Sequence, residues 1–145
     1  MEGAVVAIVV LAAATVFGVV RRKRDGRLRA HGRARGKVSG EVSERLDATE
    51  IGSELGERAT LVQFSSAFCA PCRATRRVLG EVAAMVDGVT HVEIDAESRL
   101  DLVRRLNVIR TPTVLVLDGG GRIVRRASGA PRKADVIAAL GEAVK

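Results

Sequence analysis

The stretch Ala59-Thr60-Leu61-Val62-Gln63-Phe64-Ser65-Ser66-Ala67-Phe68-Cys69-Ala70-Pro71-Cys72-Arg73 holds the only two cysteines of a 145-residue chain. Ala59 to Phe64 is a short, β-prone, mostly apolar run and reads as a buried strand. Ala70 to Val86 reads as a helix, with Val78, Leu79, Val82, Met85 and Val86 as its apolar stripe and Arg73, Arg76, Arg77 and Glu81 toward water. A strand therefore hands a Cys-x-x-Cys pair to the N-terminus of a helix. There the first thiol meets the positive end of the helix dipole, which favours the thiolate. Pro71 fits the first turn, where a missing N–H matters little. The arrangement implies redox chemistry, with Cys69 as the attacking thiol and Cys72, one turn along, as the one that resolves a mixed disulfide.

Two other readings of the pair are weaker. A zinc site usually takes four ligands, and the chain has no second cysteine pair and only two scattered histidines, so no metal is expected. A purely structural disulfide across so short a loop would remove little chain entropy.

Outward from this centre, the element order is regular. Asp47-Ala48-Thr49-Glu50 has the form of a capped helix start, followed by Ile51 and Leu55 at i, i+4 spacing. Val89 to Ile94 reads as a strand, Ser98 to Leu106 as a helix and Thr113 to Leu117 as a strand. Asp118-Gly119-Gly120-Gly121 turns into a strand over Arg122 to Ala127, and Pro131 opens a last helix through Val144. The order predicts an α/β fold: strands alternating with helices argue for a parallel core, and the Gly-linked hairpin adds an antiparallel edge. With three Phe and neither Trp nor Tyr, the core rests on Val, Leu, Ile and Ala.

Gly3 to Val20 is an uncharged run about 27 Å long as a helix, close to the thickness of a bilayer core. The net charge of +7 lies just beyond it. Residues 21–37 carry nine Arg or Lys against Asp25, whereas residues 38–145 carry 15 charges of each sign. The folded part is thus neutral, which argues against nucleic-acid binding. A signal peptide would place its positive charge before the apolar run; here Arg21-Arg22-Lys23-Arg24 follows it. The expectation is an uncleaved single-pass anchor over residues 1–20, with a basic, solvated linker over 21–40 against lipid headgroups. By the positive-inside rule the domain at 41–145 then faces the cytoplasm. His31 falls in the linker and is expected to have no role.

From about residue 41 to 145 the chain resembles the thioredoxin superfamily. The resemblance rests on the strand Leu61 to Phe64, the Cys69-Ala70-Pro71-Cys72 pair, the run Val108-Ile109-Arg110-Thr111-Pro112-Thr113, the element order, and Gly129 after the last strand. It implies a three-layer thioredoxin-like fold, a mixed sheet flanked by helices. It also implies a protein-disulfide oxidoreductase needing no cofactor beyond its own dithiol, served by an unidentified reductase or membrane electron donor. Pro112 would be a cis-proline facing the cysteines, and Thr111 would offer its backbone to an extended substrate, with Phe68, Ala70 and Pro71 lining the same surface.

The chain departs from the family pattern at four positions. Phe68 replaces the usual Trp and Ala70 the usual Gly. Gln63 stands where a buried Asp is common, and glutamine cannot act as a base. His91 stands where many relatives carry a Lys that pairs with that Asp; losing both partners together avoids an unpaired buried charge. His91 is a candidate for proton transfer, since imidazole suits near-neutral pH. Two rival readings are a non-catalytic binding or chaperone module built on the same groove, and an outward-facing reductase serving cytochrome or extracytoplasmic protein maturation.

Overall fold

A computed structural model describes residues 2–24, 26–30 and 44–145; His31 and the rest of 31–43 lie outside the described residues. Helix α1 spans Glu2–Arg24 and strand β1 Arg29–Ala30. There follow α2 (Ala48–Ile51), β2 (Ala59–Ser65), α3 (Ala70–Met85), β3 (Val89–Asp95), α4 (Leu100–Arg105), β4 (Thr113–Asp118), β5 (Ile123–Ser128) and α5 (Lys133–Ala143). The strands form one mixed sheet in the order β1-β5-β4-β2-β3.

The local signals act as their chemistry requires. Asp47 caps α2, accepting from the Glu50 N–H at 2.8 Å while the Glu50 carboxylate accepts from the Asp47 N–H at 3.0 Å, and Gly52, at φ 71°, stops the helix after one turn. Side chains alternate between the two faces of the sheet, and along β2 and β4 both faces are buried. Leu61, Val114 and Val116 face α3 and α5, packing on Leu79, Val82, Val136 and Leu140. Val62, Phe64, Val92, Ile94, Leu115 and Leu117 face the other way, onto Leu46, Ile51, Leu102 and Leu106. By the period of two, Gln63 lies on the α3 face.

Three expectations need correction. The core is not parallel throughout: β2 and β3 are parallel, but β4 runs antiparallel to β2. The connection explains this. The chain between Asp95 and Thr113 turns through the short α4 without crossing back, so Thr113 starts β4 beside Phe64, at the end of the sheet where β3 finishes.

The second correction concerns the linker. Arg21 to Arg24 form the last turn of α1, and Arg29 and Ala30 pair with Arg126 and Arg125 of β5. The open edge of β5 offers backbone partners that the polar sequence did not advertise. The third concerns α3. Its buried stripe is Cys72, Thr75, Leu79 and Val82, while Met85 is 64% exposed; the cysteine turn itself faces the sheet.

α1 is long and apolar enough to cross a membrane, and its apolar span is not buried against the rest of the described chain. Val5 to Phe17 present a surface that water would solvate poorly.

Candidate active site

Strand register brings two loops together. Phe64 of β2 lies opposite Thr113 of β4, so the segment leaving β2 toward the cysteines starts beside the segment that enters β4 through Pro112. A hydroxyl pair joins them, Ser66 Oγ to Thr111 Oγ1 at 3.0 Å, and the Ser66 carbonyl accepts from the Cys69 N–H at 3.3 Å. The Thr111–Pro112 peptide bond is cis. On the far side of Pro112, its carbonyl accepts from the Gly129 N–H at 2.7 Å.

Cys69 and Cys72 form a disulfide, with Cα atoms 5.2 Å apart. Cys69 is the N-cap of α3, and its Sγ accepts from the Cys72 N–H at 3.2 Å. The sulfur therefore occupies the place where a capping oxygen would sit, at the positive end of a four-turn helix. Cys69 is the more open of the two, 9% exposed against 2% for Cys72. Ala70 and Pro71 are exposed beside it, and Phe68 is fully exposed at 101%. Phe68, Cys69, Ala70, Pro71, Cys72, Thr111 and Pro112 thus gather at one end of the sheet.

His91 lies underneath this surface rather than on it. Gln63, fully buried, donates through Nε2 to the Cys72 carbonyl at 2.8 Å and to Ser65 Oγ at 2.9 Å. A carbonyl can only accept, so the amide orientation follows, and Gln63 Oε1 is left facing His91 Nε2 at 3.2 Å. That nitrogen must then carry the proton, which leaves Nδ1 as the basic atom of the neutral ring. Burial pulls the His91 pKa below its ordinary value, against the raising effect of Glu93 and with a smaller lowering from Arg76.

Ser65 passes the network to the surface. The Arg76 guanidinium grips Glu93 twice, Nε to Oε2 at 2.5 Å and Nη2 to Oε1 at 2.8 Å. These bonds, with Ser65 donating as well, hold the Glu93 carboxyl below the usual range despite partial burial. Thr75, one turn beyond Cys72, is buried with a hydroxyl that has no hydrogen-bond partner among the described residues. Ser65, Ser66, Thr75 and Glu93 escaped the sequence reading. Only Glu93 left a signal, its i, i+2 spacing from His91 on one face of β3.

Among the described residues no group of three or more His, Cys, Asp or Glu could hold a metal ion. The polar layer instead fixes the second cysteine's backbone and leaves the first sulfur at the helix mouth.

Comparison with known proteins agrees with this geometry. The family model for thioredoxin matches residues 43–142. The thioredoxin of Alicyclobacillus acidocaldarius subsp. acidocaldarius is 32% identical over 91 residues, covering 62% of this chain and 86% of that protein. The thioredoxin of Mycobacterium tuberculosis (strain ATCC 25618 / H37Rv) is 30% identical over 104 residues, 71% of this chain and 87% of the other. A bifunctional thioredoxin reductase/thioredoxin of Mycobacterium leprae (strain TN) is 29% identical over 110 residues, but the chain spans only 24% of its length. Among solved structures, a mutant thioredoxin from Halobacterium salinarum NRC-1 superposes with a TM-score of 0.56 at 18% identity, over 61% of this chain and 77% of that one. That likeness speaks for the fold. The family match begins at residue 43 and leaves α1 outside it.

Proposed function

Since the chain belongs to the thioredoxin family and is a thiol-disulfide oxidoreductase by that membership, we propose that it reduces protein disulfides through Cys69 and Cys72 while held to a membrane by α1. The observation that carries the reading is the hydrogen bond from the Cys72 N–H to Cys69 Sγ at the mouth of α3. A thiolate there accepts the same N–H with a full negative charge, so the bond strengthens on ionisation.

In the forward direction the Cys69 thiolate attacks one sulfur of a substrate disulfide. A mixed disulfide forms, and the other substrate sulfur leaves as a thiolate that takes a proton from solvent. Cys72, deprotonated, then attacks Cys69 Sγ. The second substrate sulfur leaves, the substrate has gained two electrons, and the Cys69–Cys72 disulfide holds the oxidising equivalent until a reductase or membrane donor returns two electrons. Phe68, Ala70, Pro71, Thr111 and Pro112 are the proposed contact surface for the substrate segment. Their common position beside the cysteines supports it. His91 is proposed for proton handling, and its pairing with Gln63 directs that role to Nδ1.

The membrane reading rests on α1 and on the basic turn Arg21 to Arg24 that closes it. That turn belongs on the cytoplasmic side by the positive-inside rule, with Arg21 to Lys37 available to anionic headgroups. Labelling of intact cells with a membrane-impermeant maleimide after mild reduction is expected to leave the cysteines unmodified. The activity is tested by insulin reduction with the full chain. Cys69→Ser should abolish it, and Cys72→Ser should accumulate a mixed disulfide. A Cys69→Ser chain that still reduces insulin would refute the assignment, and His91→Ala with unchanged turnover would remove His91 from it.

A further inference from the structure

The strand register decides which end of the sheet receives the membrane helix. Phe64 lies opposite Thr113, and Thr113 lies opposite Ser128, so the cysteine loop, Pro112 and Gly129 share one end. β1 runs antiparallel to β5, Arg29 opposite Arg126. The chain leaving α1 therefore meets the sheet at that same end.

The meeting point is Gly26. Its N–H donates to the Ser128 carbonyl at 3.0 Å, and the same carbonyl accepts from Arg110 Nη2 at 2.6 Å. Gly26 is buried, has φ +75°, and lies so close to the next loop that a Cβ would stand 2.0 Å from the Ala130 carbonyl oxygen. Leu28, two residues on, packs against the α3–α5 side of the core. This is a seated segment.

Only Asp25 separates the last residue of α1 from Gly26. Two residues of chain, one cross-strand pair and one further backbone hydrogen bond put Arg24 within about 20 Å of Pro112. Had the whole of 21–40 been a flexible chain, its root-mean-square span of roughly 25 Å would have let the site roam. Pinned at Gly26, the site stays at the level of the basic turn that sits among the headgroups. The side chains open beside it suit such a place: Phe68 is fully exposed, and Ile109, three residues before Pro112, is 79% exposed.

We propose that the substrates of this chain are disulfides in juxtamembrane segments of integral membrane proteins, and that the seated Gly26 segment selects them by reach. The proposal rests on the reading of the chain as a membrane-held oxidoreductase. Its basis is effective concentration: a site fixed near the surface meets a surface disulfide often and a remote one seldom.

The test uses the full chain in phosphatidylcholine–phosphatidylglycerol vesicles with spanning peptides whose disulfide loop sits about three or about forty residues beyond the span. The near loop is expected to be reduced at least about tenfold faster. Inserting about twenty Gly/Ser residues after Arg24 should bring the two rates within about twofold while insulin is still reduced at the original rate. Gly26→Val, which cannot be seated, should act in the same direction. Equal rates for near and far loops with the unaltered chain would overturn the proposal, as would a preference that survives the insertion. Failure of the unaltered chain to reduce insulin and both peptides would instead overturn the oxidoreductase reading, and this one with it.

Discussion

Replacing Gln63 with glutamate exchanges one atom of the side chain and inverts what the site can tolerate. Gln63 Nε2 points at two acceptors, the Cys72 carbonyl at 2.8 Å and Ser65 Oγ at 2.9 Å, in a position with no solvent exposure. An ionised carboxylate there would set an anionic oxygen against a carbonyl oxygen. The protonated acid could still donate one O–H to the Cys72 carbonyl. The folded-state pKa of the new carboxyl must therefore rise, opposed in part by the His91 Nε2–H that faces the other oxygen. Taking a rise of roughly 2–3 units above the unfolded value of about 4.3, at about 1.36 kcal/mol per unit, Gln63→Glu loses about 3–4 kcal/mol relative to the parent between pH 4 and pH 8.

The sign follows from linkage. Above pH 4.3 the unfolded chain releases the proton first, so stability falls as pH rises and levels off above the raised native pKa. The assay is urea unfolding of the full chain in nonionic detergent at several pH values. Circular dichroism serves as the signal, because the chain has no Trp or Tyr. Gln63→Leu provides the contrast: it leaves the Cys72 carbonyl and His91 without this partner and should cost about 1–3 kcal/mol with no such slope. A Gln63→Glu chain whose deficit is flat from pH 4 to pH 8 would refute the reasoning.

Two further outcomes follow from the same layer. Burial lowers the His91 pKa, so its contribution to stability is intact above 6.5 and is lost as pH falls through the native value. An imidazole resonance removed by His91→Gln should titrate below 6.5, and a midpoint at or above it would contradict the burial. Thr75 buries a hydroxyl without a partner among the described residues, so Thr75→Val, of nearly the same shape, should raise stability by about 1 kcal/mol in the disulfide form, read by the same urea titration. A loss of stability would mean that the hydroxyl is bonded in solution.

What could be read from the sequence was local. The strand from Ala59, the Asp47–Glu50 cap, the helix opened by the cysteines and the hairpin after Asp118 each carry their own propensity signal, and the structure places them within two residues at their starts. Cys69 and Cys72 stood out by their own spacing, whereas the cis bond at Pro112 was implied only by the resemblance to the thioredoxin superfamily. The contents of the buried layer depend on register. Nothing in Ser65 or Glu93 alone says that β2 and β3 pair with Gln63 opposite Glu93, or that Arg76 reaches across from α3.

The direction of β4 was hidden for a related reason, since it shows in where the chain re-enters the sheet, with Thr113 opposite Phe64, rather than in any residue of the strand. Arg29 and Ala30 have no apolar alternation at all. Their strand is made by the free backbone groups of β5 and by the seat at Gly26, both supplied by residues about a hundred positions later. That is why a segment composed like a solvated linker lies against the sheet, and why the distance from α1 to Pro112 could not be read from composition.

The most direct test is competitive alkylation of the dithiol form of the full chain across pH, with the modified residue identified by mass. Cys69, at the mouth of α3, should react first, with a midpoint below the ordinary thiol value of about 8.5, and Cys72 should lag behind it. A midpoint at or above that value, or faster modification of Cys72, would contradict the assignment of Cys69 as the attacking thiol.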